Sequence, residues 1–318
     1  MSQKQRMKEK FKVVFFGTPE FAVPSLKSLI RNNYQVIACV TRPDKPRGRH
    51  LKFRFSPVKK LAQKHNLKIL QPTKINSPDF LKELKEIKPA LFVVVAFGKI
   101  LPKKIIDLPM FGTLNLHASL LPRYRGASPI HYALLNGDKK TGVTIMKMDE
   151  HMDTGPVVSQ LEIDIQKKDN LSTLHDKLAQ EGAQLLVNTL PDYFSYNINL
   201  KKQDESQATY TKVLKKEDGR INWSKSAKKI ESKVRAFNPW PGAFTYYQNN
   251  LIKIKEGQTT GQASSKKPGY LFYKKNKILV TTDTNLFEIK KIQLAGKKAL
   301  TASEFINGQK EFDGVYLN

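Results

Sequence analysis

The sequence predicts an α/β fold in which a doubly wound parallel sheet is followed by a small β-barrel. Up to residue 190, β-like runs alternate with segments of helical spacing, the pattern of strands joined by crossover helices. Residues 90–97 form the most hydrophobic run, and an uninterrupted apolar run is typical of a parallel strand buried on both faces. After Pro191 the runs become short and are separated by polar turns, which favours a barrel.

The elements of the first part follow from this patterning in chain order. The expected strands are residues 12–16, 34–41, 90–97, 112–117, 142–148 and 157–165. The expected helices are residues 24–30, 57–65, 80–87, 130–135 and 171–190. Residues 42–55 show neither period and contain prolines and Gly48, so we predict a long basic loop there.

The second part begins after a polar segment. Its expected strands are residues 242–247, 251–255, 270–273, 277–282 and 286–294, with turns at 261–268 and 294–298. We therefore predict a first domain at residues 1–196, a linker at 197–211 and a basic β domain at 212–318. From Ala208 onward the chain carries 21 basic and 9 acidic side chains, a net charge of +12.

The composition is that of a globular protein with a polyanionic partner. The 318 residues are 40% hydrophobic and 26% charged, which suits two folded domains and excludes a disordered chain. The net charge of +27 favours nucleic acid as a partner. A lysine-rich composition imposed by genome bias is an alternative explanation of the total charge.

Cysteine usage and hydropathy indicate the compartment. The only cysteine, Cys39, lies in an apolar run and cannot form an internal disulfide, so we predict a buried, unreactive thiol. No apolar stretch is long enough to cross a membrane, and the polar N-terminus lacks the apolar core of a secretory signal. We expect a cytoplasmic protein with no membrane association.

Asn115 and His117 are the first candidates for chemistry. They lie two residues apart in a β-like run, so both side chains point to one face, close to the end of the strand. In open α/β sheets this carboxyl edge is where ligands bind. A carboxamide beside an imidazole can polarise a carbonyl group and move a proton. The alternative is two polar residues that close a strand into solvent.

Other site types are disfavoured. The turn after the first strand, Gly17-Thr18-Pro19-Glu20, lacks the glycine pattern of dinucleotide sites, and Pro19 removes a backbone donor. We interpret it as a tight turn, with lining of a substrate cleft as the alternative. The six histidines and one cysteine lack zinc-ligand spacing, so no metal is expected.

Several long motifs, in one order, resemble the folate-dependent formyltransferase family. The central ones are Asn-x-His at 115–117, Ser-Leu-Leu-Pro-Arg-Tyr-Arg-Gly at 119–126 and Asp-Thr-Gly at 153–155. The others are Phe-Phe-Gly-Thr-Pro-Glu-Phe at 15–21, the basic run at 42–49, Ser-Pro-Val-Lys at 56–59 and Arg-Ala-Phe-Asn-Pro-Trp-Pro-Gly at 235–242. The resemblance runs from about Lys12 almost to the C-terminus.

The resemblance implies a fold and a reaction. It implies a Rossmann-like sheet of the formyltransferase type, followed by an OB-like barrel. It also implies transfer of a formyl group from 10-formyltetrahydrofolate to an amine, with no metal. The residues that match the family's catalytic positions are Asn115, His117 and Asp153. The residues expected to bind folate are Ser119, Leu120, Leu121, Pro122, Phe97, Gly98 and Asp149.

The wider match is closest to members of the family that formylate initiator methionyl-tRNA for translation initiation. We therefore expect a monomer that binds this tRNA, with contacts from Arg42, Lys45, Arg47, Arg49, Lys52 and Arg54 because arginine pairs with phosphates and stacks on bases. The alternative is a mobile, solvated loop. Residues 235–240 are interpreted as a packing hinge, with RNA stacking as the second reading, and residues 122–126 either order a loop or face the acceptor.

Two other functions compete. Family members that formylate glycinamide ribonucleotide or hydrolyse formyltetrahydrofolate share the Asn-His-Asp arrangement but do not need the basic second domain or the arginine-rich loop. Members that formylate amino sugars on nucleotides have a similar two-domain layout but no evident need for a net charge of +27. A non-catalytic RNA-binding protein would explain the charge but not the three intact residues.

Overall fold

The computed structural model describes residues 11–47 and 52–318, which form two compact units. The first unit comprises the described residues up to Gly126 together with Thr141–Asp164 and His175–Tyr210. The second comprises Ala127–Lys140, Ile165–Leu174 and Thr211–Asn318. Two stretches that precede residue 196 in the chain therefore cluster with the C-terminal residues.

The strands are β1 Val13–Gly17, β2 Val36–Val40, β3 Lys45–Arg47, β4 Lys52–Arg54, β5 Lys68–Leu70, β6 Leu91–Val95, β7 Thr113–His117, β8 Arg125–Gly126, β9 Lys140–Lys147, β10 Val157–Asp164, β11 Tyr210–Thr211, β12 Ala243–Tyr247, β13 Asn250–Ala263, β14 Tyr270–Lys274, β15 Lys277–Val280, β16 Asn285–Leu294, β17 Leu300–Thr301 and β18 Val315–Tyr316. The helices are α1 Val23–Arg31, α2 Pro57–Lys64, α3 Pro78–Ile87, α4 Lys103–Ile106, α5 Pro129–Leu135, α6 Leu171–Phe194, α7 Ala227–Ala236 and α8 Ala302–Gly308.

The first unit is built on a seven-stranded sheet of order β10-β9-β7-β6-β1-β2-β5. Strands β5, β2, β1, β6 and β7 are parallel, whereas β9 runs antiparallel to β7. The direction of winding reverses between β1 and β6, so their carboxyl ends at Gly17 and Val95 mark a topological switch point. The strand order confirms the doubly wound sheet, and all five residues of β6 are buried, as expected of the apolar run at 90–97.

One basic segment differs from its prediction. Residues 42–55 were expected to form a loop, but β3 and β4 within it form a two-stranded antiparallel ribbon that pairs Lys45 with Arg54. Its strands carry charged residues and no apolar alternation, so periodicity alone could not indicate them. Arg49 and its neighbours at 48–51 lie outside the described residues.

The second unit contains a seven-stranded antiparallel sheet of order β12-β13-β16-β15-β14-β18, with β17 paired to β16. Tyr246 of β12 and Asn318, just after β18, exchange two backbone hydrogen bonds of 3.0 and 2.8 Å. These bonds join the two ends of the strand order, so the sheet curls into the predicted barrel. Its core is apolar, and the indole of Trp223 donates to Thr245 within it at 3.0 Å.

Two helices of this unit are absent from the predictions, although the sequence carries signals for both. Helix α7 buries Ile230 and Val234 at helical spacing and begins at Ser226, whose hydroxyl accepts a hydrogen bond from a backbone N–H of the first turn. Helix α8 begins with a capping box in which Thr301 and Glu304 satisfy each other's backbone N–H groups.

The polar segment 197–211 is bonded to the first unit over much of its length. Lys201 exchanges backbone hydrogen bonds of 2.8 and 2.9 Å with Val157. The backbone carbonyl of Thr209 accepts from Arg125 at 2.8 Å, and β11 pairs with β8. The segment thus extends the first unit at least to Tyr210, because its backbone groups bond to residues of that unit.

Candidate active site

Asn115 and His117 lie on one face of β7, as the period of two predicted. Asn115 pairs in register with Val94 of β6 and Met146 of β9, so it stands beside the strand that forms one side of the switch point. Within the described residues its side-chain amide makes no hydrogen bond, and the residue is only half-buried. The amide therefore has both N–H groups available to a ligand.

His117 has a defined proton arrangement. Its Nε2 lies 2.9 Å from the backbone carbonyl oxygen of Tyr124, and because a carbonyl only accepts, Nε2 carries a proton. Its Nδ1 lies 3.6 Å from Oδ2 of Asp153, and the two side chains are only 7% and 15% exposed. Nδ1 is consequently the ring atom that can take up or release a proton, with a carboxylate beside it.

Asp153 is held at a strained turn. Its φ of +56° lies in the left-handed region, which asparagine and aspartate tolerate better than most residues. Its Oδ2 accepts a hydrogen bond of 2.7 Å from the backbone N–H of Gly126. Two residues on, a Cβ placed on Gly155 would lie 1.8 Å from the carbonyl oxygen of Lys147, so only glycine fits there.

Asp149 organises the same loop. Its carboxylate accepts from the hydroxyl of Thr154 at 2.7 and 2.9 Å and from the backbone N–H of His151 at 3.1 Å. These bonds fold residues 149–154 into a compact loop that ends at the glycine. Asp149, predicted as a folate residue, thus shares a loop with Asp153, and its carboxylate bonds to that loop.

The segment 119–122 is fixed by a set of buried hydrogen bonds. Ser119 donates to the carbonyl oxygen of Arg123 at 2.6 Å, and the hydroxyl of Thr144 on β9 donates to the carbonyl oxygen of Ser119 at 2.7 Å. The same hydroxyl accepts from the N–H of Leu121 at 3.1 Å. Ser119 and Leu121 are buried, whereas Leu120 and Pro122 are half-exposed and are the members of this segment within reach of a ligand.

Phe97 and Gly98 lie at the switch point. Phe97 is buried and packs edge-on against Phe16 of β1, and its carbonyl oxygen accepts from the hydroxyl of Thr18 at 3.3 Å. Gly98 is exposed, has a φ of +76°, and a Cβ on it would lie 3.3 Å from a guanidinium nitrogen of Arg42. Arg42, predicted as a tRNA contact, therefore stands next to a residue predicted to bind folate.

Of the remaining basic candidates, Lys45 and Arg47 lie on β3, and Lys52 and Arg54 lie on β4. The backbone register of the ribbon pairs Lys45 with Arg54 and Arg47 with Lys52. Arg49 falls outside the described residues.

Three further features bear on the predictions. Cys39 is buried, as predicted, and burial raises the pKa of its thiol to about 12. Over residues 11–47 and 52–318, no three histidine, cysteine or carboxylate side chains converge as metal ligands. In the same residues no helix is both long and apolar enough to cross a bilayer.

The sequence interpretation missed two contributors to this site. Thr144 has the segment 119–121 as its hydrogen-bond partners, and Gln203 donates to the carbonyl oxygens of Asp153 and Gly155. Neither belongs to a motif, and Gln203 lies in a stretch whose polarity suggested a linker. The role of Arg125 was left open, and the structure buries it completely.

Comparison with known proteins identifies the family of both parts of the chain. Residues 10–190 match the formyl transferase family, and residues 213–310 match the formyl transferase C-terminal domain. The chain is 43% identical to the methionyl-tRNA formyltransferase of Caldanaerobacter subterraneus subsp. tengcongensis, over 96% of this chain and 99% of that one. It is 46% identical to the methionyl-tRNA formyltransferase of Thermodesulfovibrio yellowstonii, over 95% and 97% of the two chains.

A solved structure shares the fold. The N-formyltransferase from Helicobacter canadensis, in complex with folinic acid and dTDP-3-aminofucose, superimposes with a TM-score of 0.67 at 19% identity. The match covers 88% of this chain and 99% of that one. At this identity the likeness establishes the architecture of both parts of the chain and no more.

Proposed function

This chain belongs to the methionyl-tRNA formyltransferase family, and we propose that it formylates initiator methionyl-tRNA for translation initiation. The formyl group comes from 10-formyltetrahydrofolate and passes to the free amino group of the methionyl moiety. The observation that carries the proposal is the convergence of Asn115, His117 and Asp153 at the carboxyl edge of the sheet, beside the switch point.

The three side chains suit attack of an amine on a formyl carbon. The folate would supply that carbon, and negative charge would develop on its oxygen as the amine attacks. The bond between the formyl carbon and the folate nitrogen would then break, and that nitrogen would take up a proton and leave as tetrahydrofolate. The amide of Asn115, which has no protein partner among the described residues, donates to this oxygen, and one such donor contributes about 3 kcal/mol to transition-state stabilisation. Protonated at Nδ1, His117 provides a second donor.

Asp153 has two tasks in this scheme. Its carboxylate lies beside Nδ1 of His117 and stabilises the ring when that atom is protonated. It also accepts, through water, the proton that the attacking amine must lose. The N–H of Gly126 holds one carboxylate oxygen, so the side chain is oriented before substrate arrives.

Folate is proposed to lie against the half-exposed Leu120 and Pro122, the backbone of Ser119 and Leu121, the Phe97–Gly98 turn and the Asp149 loop. This placement rests on the side-chain amide of Asn115, which has no hydrogen-bond partner among the described residues and would donate to the formyl oxygen of the folate. No metal is needed for the step.

We propose that two basic regions bind the tRNA. The first is the ribbon and its neighbours, which contribute Arg42, Lys45, Arg47, Arg49, Lys52 and Arg54 and are proposed to contact the acceptor end. The second is the region 212–318, whose net charge of +12 includes exposed lysines at 266, 267, 274, 275 and 277. Phosphate contacts of this kind act without sequence readout and weaken steeply with salt.

We also propose that the protein acts as a monomer in the cytoplasm. Its tRNA substrate and its single, reduced and buried cysteine fit that compartment. The catalytic side chains Asn115, His117 and Asp153 all come from one chain, so the proposed chemistry needs no second copy.

An acceptor comparison tests the proposal. The purified protein is incubated with 10-formyltetrahydrofolate and with methionyl-tRNA, glycinamide ribonucleotide, an amino sugar nucleotide or no acceptor. Only methionyl-tRNA should be formylated, and His117→Ala, with an unchanged unfolding temperature, should lose the activity. Formylation of another acceptor, or hydrolysis of the folate without one, would replace the proposed function with one of its rivals.

Binding to the C-terminal region is best tested by charge reversal. A chain cut near Asp204 would lose Glu205 and Tyr210, which bond to the buried Arg125, so truncation would also disturb the first unit. Lys274→Glu with Lys275→Glu should instead weaken tRNA retention on filters and flatten its salt dependence. The salt slope should not change if these lysines are scaffold residues only.

A further inference from the structure

Gln203 connects a buried arginine to the turn that carries Asp153. Its side-chain Oε1 accepts two hydrogen bonds from Arg125, of 2.8 Å from Nη2 and 3.1 Å from Nε. Its Nε2 donates to the carbonyl oxygens of Asp153 at 2.9 Å and Gly155 at 2.7 Å. Arginine only donates and carbonyls only accept, so the orientation of this carboxamide is unambiguous and its hydrogen-bonding capacity is full.

Arg125 is built to hold Gln203 in place. It is fully buried, and Glu205 accepts a bidentate pair from it at 2.7 and 2.8 Å. Tyr210 accepts a further bond of 3.1 Å. A planar guanidinium with fixed partners leaves Gln203 little freedom, because any rotation of the amide would leave buried groups unpaired.

The turn at residues 153–155 has a backbone conformation that requires support from neighbouring groups. Asp153 adopts a left-handed φ, and Gly155 is packed against a carbonyl oxygen where a side chain would clash. Strained backbone conformations persist only when several surrounding contacts hold them in place. Gln203 holds the backbone carbonyl groups of Asp153 and Gly155, while the N–H of Gly126 holds the side-chain carboxylate of Asp153.

We propose that Gln203, clamped by Arg125, is a positioning residue that sets the Asp153 carboxylate against Nδ1 of His117. The inference rests on the proposed function, since it concerns the carboxylate assigned there. It gives the segment 197–211 a part in catalysis, although none of its residues is placed at the reacting atoms.

The test uses the isosteric substitution Gln203→Glu in the full-length protein. A glutamate keeps the oxygen that accepts from Arg125, loses both donors to the turn and places a negatively charged oxygen beside the carbonyl oxygens of Asp153 and Gly155, so the substitution acts mainly on the turn. We expect kcat for methionyl-tRNA formylation to fall by at least about tenfold, with KM for both substrates changed by less than about twofold. Gln207→Glu is the matched control, because Gln207 is an exposed glutamine of the same segment whose side chain, among the described residues, bonds only to Asp204.

Two further readouts separate positioning from a general loss of structure. In an Asp153→Asn background, Gln203→Glu should lower kcat by less than about twofold, because a residue that acts through Asp153 has nothing left to act on. Exchange of the Gly126 amide, which donates to Asp153, should also accelerate by about tenfold or more. The Leu121 amide, held by Thr144, should exchange as in the unsubstituted protein. Gln203→Met gives the same comparisons if the glutamate variant does not fold.

The outcomes are distinguishable. Equal losses of kcat in the two backgrounds, or an unchanged Gly126 amide, would overturn the positioning role while leaving the proposed chemistry in place. Full activity of Asp153→Asn alone would instead remove Asp153 from the reaction, and with it both the proposed mechanism and this inference.

Discussion

Removing the charge of Asp153 without changing its shape is the most direct probe of the proposed chemistry. Asp153→Asn retains an oxygen that accepts from the N–H of Gly126, so the side chain stays anchored. What is lost is the negative charge 3.6 Å from Nδ1 of His117. The variant therefore measures how much the negative charge of Asp153 contributes to the reaction rate while the position of its side chain is unchanged.

The magnitude follows from the geometry. Two unit charges at 3.6 Å attract by about 5 kcal/mol at an effective dielectric constant of about 20. Each 1.4 kcal/mol or so corresponds to a tenfold change in rate, so the whole interaction sets a ceiling of about 3,000-fold. Part of it is already present before the transition state, so we expect kcat to fall between about 100-fold and 1,000-fold.

Single-turnover formylation of methionyl-tRNA, with enzyme in excess, measures this change apart from product release. An exposed pair provides the matched control: His175 and Asp176 lie 2.9 Å apart but are 30% and 73% exposed, so Asp176→Asn should leave the rate unchanged. A rate for Asp153→Asn within about tenfold of the unsubstituted protein, at an unchanged unfolding temperature, would refute the electrostatic reasoning.

Four other substitutions test separate parts of the structure. Asn115→Ala should cut kcat by at least about a hundredfold, because it removes an oxyanion donor, and near-normal turnover of the folded variant would exclude that role. Gly155→Ala should lower both the unfolding temperature and turnover, since its Cβ would lie 1.8 Å from a carbonyl oxygen of β9, whereas Gly261→Ala, with no atom within 4 Å, should do neither. Arg47→Ala should lower kcat/KM for tRNA and flatten its salt dependence without affecting folate binding; unchanged values of both would exclude a contact with RNA. Burial raises the pKa of Cys39 from 9.0 to about 12, so the unfolded thiol ionises first and stability should fall by about 1.4 kcal/mol per pH unit across that range. In Cys39→Ala the free energy of unfolding, measured with denaturant at successive pH values, should fall less steeply, because one fewer proton is released on unfolding. An identical slope would contradict the raised pKa of Cys39.

Much of the fold was predictable because its cause is local. The continuous apolar run at 90–97 identified the central strand, and the spacing of Asn115 and His117 placed both on one face of β7. The two missed helices belong to the same category. Ser226 before α7 and the Thr301–Glu304 capping box before α8 are local signals that could have been recognised.

The motifs also indicated the family, and the full-length matches confirm it. A motif is a set of residue types at a fixed spacing. Related proteins share this spacing because they share the strand end or the tight turn in which the motif lies. They do not reveal which atoms pair. That Nε2 of His117 is committed to the carbonyl of Tyr124, leaving Nδ1 for Asp153, follows only from the folded geometry.

The sequence by itself therefore determined the doubly wound sheet and the barrel strands, which depend on period and spacing along the chain. Its motifs also indicated the family, and the resemblance supplied the three candidate catalytic residues. Only the tertiary structure decided that β3 and β4 pair, that Tyr246 and Asn318 join the ends of the barrel sheet, and that a polar stretch around Gln203 supports Asp153. The physical reason is that the bonds of Tyr246 and Gln203 join polar groups far apart in sequence, while the short β3–β4 ribbon has no apolar alternation. A hydrogen bond needs only a donor and an acceptor in register, so it leaves no hydrophobic period from which its partner could be inferred.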